Sequence, residues 1–140
     1  MPNTRQPRTD NPDLDLLRRD LLDELETLGT KAAHVHQALD DAAAAFNVVR
    51  AHVNTGGSFS DLARYVDPKA LRSTLSRSLD ELERTRHQMQ RLLFKVLRAE
   101  GMTMSDIARA WGISRQLVSR LLNEPDPKSE TPSTDHPIAM

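Results

Sequence analysis

The chain has 140 residues, of which 38% are hydrophobic and only 4% aromatic, and it contains no cysteine. The missing cysteine excludes disulfides and cysteine-based zinc or redox sites. No apolar run approaches the roughly 20 residues that cross a bilayer, so no membrane-spanning helix is expected. The few aromatic residues and the abundance of Leu and Ala favour long helices that share their apolar faces with a partner.

The net charge of −1 conceals a division along the chain. Residues 10–50 carry nine acidic and four basic residues, a balance of 4 − 9 = −5, whereas residues 84–123 carry eight basic and two acidic residues, a balance of 8 − 2 = +6. A basic segment beside an acidic one is typical of a nucleic-acid binder whose other part stays away from phosphate. Ordinary solvated helix faces would give the same split, so charge alone does not decide.

The first helical pattern follows a polar, proline-interrupted stretch, residues 1–12, which predicts a disordered leader rather than a secretory signal. We therefore expect a cytoplasmic, nucleoid-associated protein. From Leu14 to about Asn54, apolar residues recur every three or four positions, as in the seam of a coiled coil. Gly29 does not change the phase of this pattern, so we predict one long helix; two helices with a break at Gly29 are the alternative. The residues that define the pattern most clearly are Leu25, Leu28, Ala32, Val35, Leu39, Ala42, Phe46, Val49 and Val53.

A glycine-containing turn, Thr55–Ser58, is predicted to end this helix, because glycine adopts left-handed backbone at low cost. Ser60 is then expected to cap a short turn of helix that runs through Tyr65. This piece would connect the first long helix to the next helical pattern in the chain.

A second long helix is predicted from Asp67-Pro68, a capping residue followed by the proline that suits a first helical turn. It would run to about Ala99 and stop at Gly101. Folded back on the first helix, it would form a hairpin, and two hairpins from two subunits would form a four-helix bundle. We therefore predict that residues 13–83 are a helical dimerisation region and that the protein is a homodimer.

Residues 101–123 contain two short helical patterns joined at a glycine. Thr103 is expected to cap the first helix, and Asp106 stands at the spacing of a capping box. Gly112 breaks the pattern where a sharp turn needs a positive φ, and Ser114 is expected to cap the second helix. The apolar residues predicted to pack these helices together are Ile107, Ala110, Trp111, Val118, Leu121 and Leu122.

These residues resemble the bacterial helix-turn-helix family of DNA-binding proteins, in its form without a wing, and the related units of sigma-factor region four and resolvase-type recombinases. Ala108 matches the small residue that lets two helices approach, and Gly112 matches the turn glycine. The apolar core positions of the family are matched by Ile107, Trp111, Ile113, Val118 and Leu121.

The resemblance implies an all-α fold in which a long helical hairpin or coiled-coil region precedes a tri-helical DNA-binding domain, residues 84–123. The first of the three helices would be Arg86–Glu100, and the large Trp111 is expected to pack on it. A plain helical hairpin that packs on the bundle is the alternative reading of the same segment.

The resemblance also implies a DNA-contacting surface. The second helix of such a unit lies in the major groove with its N-terminal residues at base edges. Arg115 suits guanine O6/N7 and Gln116 suits adenine N6/N7, whereas hydroxyls at the start of the preceding helix would lie near phosphate. The predicted DNA-binding residues are Thr103, Ser105, Ser114, Arg115, Gln116, Ser119, Arg120 and Asn123. Arg91, Lys95, Arg98 and Arg109 are further candidates for phosphate contact, although each could equally be a solvated charge.

The sequence thus favours a sequence-specific protein that binds double-stranded DNA, a dimeric transcriptional regulator with no catalytic site, cofactor or metal. His34 and His36 are two residues apart, which places them on different faces of a helix rather than in a metal site. The alternatives are a nucleoid-associated or partition-type architectural protein, and a helical adaptor that binds a protein partner such as RNA polymerase. Residues 124–140 are rich in Ser, Thr and Pro, which predicts a disordered tail.

Overall fold

The structure, a computed structural model, describes residues 12–125, and every regular element within that range is helical. The predicted all-α fold class is confirmed. The predicted disordered leader and tail lie, apart from Pro12, Glu124 and Pro125, outside the described residues. No helix among the described residues is long and apolar enough to cross a membrane. The elements are α1 (Pro12–Asn54), a 3₁₀ helix (Phe59–Arg64), α2 (Pro68–Ala99), α3 (Met104–Trp111) and α4 (Arg115–Asn123).

The chain forms two compact units, one ending at Leu93 and one beginning at Phe94. The first contains α1, the 3₁₀ helix and most of α2. Helix α1 is continuous through Gly29, which confirms one helix instead of two, and its 43 residues span about 65 Å at 1.5 Å per residue. One side of it is buried or half-buried at every seventh position, at Leu14, Leu21, Leu28, Val35, Ala42 and Val49.

Helix α2 lies against α1 as the antiparallel arm of a hairpin. Its start is capped as predicted, since the Asp67 carboxylate accepts a hydrogen bond from the Ala70 amide at 3.1 Å. The Lys31 ammonium lies 3.3 Å from the Glu81 carboxylate, which joins residues 50 positions apart. One row of half-buried or buried side chains on α2 again follows steps of three and four, at Leu71, Leu75, Ser78, Leu82, Thr85, Met89 and Leu92.

The 3₁₀ helix is capped two residues earlier than the sequence pattern indicated. Ser58, not Ser60, is the capping residue, and its Oγ accepts a hydrogen bond from the Ser60 amide at 3.2 Å. The reason is that the turn after α1 contains a left-handed glycine, Gly56 (φ 95°), and the next amide, that of Gly57, donates to the carbonyl of His52 at 2.9 Å. The chain is therefore already turned when it reaches Ser58.

A small polar cluster at this turn ties α1 to the 3₁₀ helix. The His52 ring lies 2.9 Å from the Asp61 carboxylate through Nε2 and 3.1 Å from the Tyr65 hydroxyl through Nδ1. The hydrogen bond with His52, together with the Ser58 backbone, lowers the pKa of Asp61. The ring also lies directly over Gly57, where an added Cβ would stand 2.1 Å from Nε2. Glycine at this position therefore makes room for the histidine.

Candidate nucleic-acid interface

The second unit is built around three side chains that are shielded from solvent, Phe94 on α2, Ile107 on α3 and Val118 on α4. Ala108 and Leu121 complete this buried cluster. Each helix therefore contributes to a single small core, as the tri-helical prediction required. The partly buried residues that pack around it are Leu97, Met102, Met104, Ile113, Leu117 and Leu122.

Phe94 was missed by the sequence reasoning, although it is fully buried at the centre of this core. The apolar pattern that predicts the second long helix passes through Met89, Leu93 and Val96. Phe94 is off that row. The available signal was the run Leu92-Leu93-Phe94, because three adjacent large apolar residues cannot all share one helix face.

The start of α3 and the turn that follows it have the geometry predicted from the sequence. The Thr103 hydroxyl accepts a hydrogen bond from the Asp106 amide at 3.1 Å. Gly112 adopts left-handed backbone (φ 65°, ψ 34°), and the amide of Ile113 then bonds the Ala108 carbonyl at 3.0 Å. This is a common way to end a helix and redirect the chain within two residues.

The prediction that Ala110 packs the two short helices together is wrong. Ala110 is exposed, and Ala108 is buried in its place. Positions 104, 107, 108 and 111 share one side of the helix, because they are three or four residues apart, and Ala110 stands at the margin of that side. The Trp111 ring packs edge-on against Phe94 of α2, with ring centroids 5.2 Å apart and an interplanar angle of 82°, which confirms the expected contact with the first helix.

Helix α4 presents a polar face opposite its buried side chains. Ser114 caps it by accepting a hydrogen bond from the Leu117 amide at 3.0 Å, and Val118 and Leu121 face the core. On the outer side, Ser119 is half-buried. Its hydroxyl accepts a hydrogen bond from the Asn123 side-chain amide at 3.4 Å. The other predicted contact residues of this helix and its cap are exposed, namely Ser114, Arg115, Gln116, Arg120 and Asn123. Thr103 and Ser105, at the start of α3, are exposed as well.

The structure corrects one of the four further candidates for phosphate contact. Arg91 is buried, with 2% exposure, and its guanidinium donates to the Gln88 side chain at 2.8 Å. At this burial its side chain is not on a surface that DNA can reach. Arg98 donates to the Met102 carbonyl at 2.9 Å and steadies the turn after α2. Arg109 lies 3.6 Å from Asp106 but remains 80% exposed.

The basic excess counted over residues 84–123 is therefore smaller at the surface than in the sequence. Arg86 donates to the Glu83 carboxylate, with Nε to Oε2 at 2.8 Å. This hydrogen bond lowers the pKa of Glu83 and raises that of Arg86, so both remain charged and paired. The cations that α4 exposes are Arg115 and Arg120.

Residues 91–124 match the family model of the MarR family. The match covers 34 of the 140 residues, and it contains the last part of α2 together with α3 and α4. The chain matches none of the curated proteins and none of the solved structures. The similarity indicates a DNA-binding regulator of transcription. With the capped α3, the left-handed glycine turn and the exposed polar face of α4, this match supports a bacterial helix-turn-helix DNA-binding family for this part of the chain.

Proposed function

We propose that this protein is a dimeric, sequence-specific regulator that places α4 in the major groove of double-stranded DNA. The proposal rests on the two sides of α4, of which one is buried in the core and the other is exposed to solvent. Val118 and Leu121 anchor the helix in the core, while Arg115 and Gln116 project from its first turn into solvent. A helix held in this way can enter a groove without losing its packing.

The roles of the two leading residues follow from their chemistry. Arg115 carries the planar, multiply donating guanidinium that pairs with guanine O6 and N7, and Gln116 carries the amide that pairs with adenine N6 and N7. Both follow directly after the cap residue Ser114, at the helix end that reaches base edges in such units. Ser119, Arg120 and Asn123 lie farther along the same face and take bases or phosphate.

Phosphate contacts are assigned to the start of α3. Thr103 and Ser105 expose hydroxyls there, and the free amides and the dipole of a helix N-terminus favour an anion. These contacts carry no sequence information, but they fix how deeply and at what angle α4 enters the groove. The two-fold arrangement of a dimer would place the half-sites one turn of DNA, about 34 Å, or a whole multiple of that distance apart.

The test is selection of binding sites from random DNA by the full chain, followed by affinity measurements on the selected site. Arg115→Ala and Gln116→Ala are each expected to weaken binding by about 1–3 kcal/mol, roughly 5- to 150-fold, and to relax preference at one base pair. Arg77→Ala is the matched control, because Arg77 is an exposed arginine of α2 in the other unit. It removes the same charge without touching α4.

Three outcomes would contradict the proposal. Selection that enriches no motif, with binding that spreads along DNA, would indicate an architectural protein that contacts phosphate only. Absence of binding at low salt would indicate an adaptor for a protein partner such as RNA polymerase. Loss of affinity in Arg77→Ala as large as in Arg115→Ala would mean that net charge, not groove contact, determines binding.

A further inference from the structure

Helix α1 carries two apolar seams, and one of them is buried or half-buried along its whole length. The covered seam is the row at Leu14, Leu21, Leu28, Val35, Ala42 and Val49. The second row, here called the outer seam, consists of Leu25, Ala32, Leu39, Phe46 and Val53, again seven residues apart, with Leu22 beside it. At 3.5 residues per turn the two seams lie about 50° apart around the helix, because Leu21 and Leu25 are four residues apart.

The outer seam is exposed over most of its length. Leu22 is 65% exposed, Leu39 50% and Phe46 58%. The remaining side of α1 is mostly polar, with Asp23, Thr27, Thr30, His34, Gln37 and Asp41. A helix that is apolar over two adjacent seams and polar on the third side fits the interior of a bundle with more than two helices. A contiguous exposed apolar row of this kind marks an interaction surface.

We infer that the outer seam is covered by the outer seam of a second copy of this chain, packed antiparallel. The inference deepens the proposed function in one respect, since it names the surface that makes the regulator a dimer. It depends on none of the DNA-contacting residues. The two hairpins would then form a four-helix bundle in which the α1 helices are the central pair.

The sizes of the side chains favour the antiparallel direction. With the two-fold axis near residues 36–39, the largest side chain of the seam, Phe46, meets Gly29 and Ala32 of the second copy, and Leu22 and Leu25 meet Val53. Large residues thus face small ones, as close packing requires. A parallel pair would instead set Phe46 against Phe46 and leave the small residues opposite each other.

Gly29 provides an independent observation. Glycine inside a helix is destabilising by roughly 0.5–1 kcal/mol relative to alanine, and within one copy nothing demands it, because a Cβ added there meets no atom within 4 Å. Its backbone is ordinary helix, since the glycines with positive φ among the described residues are Gly56, Gly101 and Gly112. The open space above Gly29 is where the antiparallel pairing places the ring of Phe46.

Charge favours the same direction. Residues 12–29 carry two bases and six acids, a balance of 2 − 6 = −4, while residues 30–54 carry two of each, a balance of 2 − 2 = 0. A parallel pair would bring two strongly acidic halves side by side. An antiparallel pair sets each acidic half beside a neutral one, which reduces the repulsion between like charges.

The experiment measures the mass and the dimer dissociation constant of the full chain by sedimentation. Phe46→Ala is expected to weaken the dimer by at least about thirtyfold, the effect of losing a central interface residue. Gly29→Leu is the sharper variant, because leucine favours the helix but fills the space assigned to Phe46. It should keep or raise helix content while it weakens the dimer by about tenfold or more. Thr30→Leu, which adds similar bulk on the polar side, should leave the dimer unchanged.

A large-to-small exchange tests the pairing itself. The double variant Gly29→Leu with Phe46→Ala should recover at least part of the dimer affinity that each single variant loses, because the bulk is moved from one helix to the other. The inference is overturned if the wild-type chain is monomeric at all concentrations, if Gly29→Leu dimerises like the wild type, or if Phe46 is needed only to capture a different protein.

The experiments distinguish an error in the inferred dimer interface from an error in the proposed function. If the seam is wrong but the function is right, Phe46→Ala stays dimeric and still binds a two-half-site DNA as tightly as the wild type. If the function is wrong but the seam is right, Phe46→Ala is monomeric and no DNA is selected by either protein.

Discussion

Replacing Gly112 by alanine should destabilise the helix-turn-helix unit by about 1 kcal/mol through the backbone alone. Gly112 has φ 65°, and a Cβ added there meets no atom within 4 Å, so no steric contact contributes. Left-handed backbone costs an L-residue roughly 1–2 kcal/mol. Alanine also restricts the unfolded chain more than glycine does, which stabilises the fold by about 0.4–1 kcal/mol. The difference between the two effects is the net loss of about 1 kcal/mol.

The assay is urea unfolding followed by the fluorescence of Trp111. This is the single tryptophan of the chain, it stands next to Gly112, and its ring packs on Phe94, so its emission reports this unit specifically. With a slope of about 1 kcal/mol per molar urea, expected of a small unit, the midpoint should fall by about 1 M.

Gly112→Asn is the matched control. Asparagine carries a larger side chain than alanine but is several-fold more frequent in left-handed backbone, so it should be less destabilising than alanine. Destabilisation by asparagine as large as that by alanine would show that φ is not the cause, and an unchanged midpoint in Gly112→Ala would show that the turn is not strained in the way described.

Three further predictions concern the caps and the turn after α1. Ser114→Ala should lower the stability of the second unit by about 1 kcal/mol, measured by the same fluorescence, whereas Ser114→Asp should retain the cap; similar losses in both would contradict the hydrogen bond to the Leu117 amide. Gly57→Ala should displace the His52 ring and break its hydrogen bonds, with a loss of about 1–3 kcal/mol in the first unit; a wild-type thermal midpoint by circular dichroism would refute the close approach. Asp61→Asn should be less stable than the wild type at neutral pH, because the lowered pKa of Asp61 stabilises the fold above the unfolded value of about 3.9. That advantage is lost as pH falls through the still lower folded pKa, so the two thermal midpoints should converge below about pH 4, and a difference that persists there would exclude Asp61 ionisation as its cause.

Much of the candidate site could be predicted from the sequence because it is made of short-range interactions. The caps at Thr103 and Ser114 each join atoms three residues apart, and the Gly112 turn closes within five. Such contacts depend on residue type and spacing, with little influence from the rest of the chain. The same holds for the start of α2 at Asp67 and for the continuity of α1 through Gly29, where a constant apolar phase indicated a single helix.

The burial of individual side chains could not be predicted in this way. Arg91 belongs to a basic segment, but the packed hairpin buries it, so counting charges overstated the surface that DNA can reach. Phe94 differs from its apolar neighbours Leu92 and Leu93 in the side of α2 from which it projects. It belongs to the core because it packs with residues of α3 and α4. Ala108 and Ala110 are the same residue type, yet their positions on α3 decide which one is buried.

The helices, their ends and the turn that defines the DNA-binding motif follow from residue type and spacing, since each depends on interactions within about one helical turn. Which seam of α1 is covered depends instead on how the helices pack. Val35 and Leu39 belong to two rows with the same seven-residue period, so no pattern in the chain distinguishes them. The direction in which α2 returns buries Val35 and leaves Leu39 half exposed, and that choice defines the surface to which a second copy is assigned.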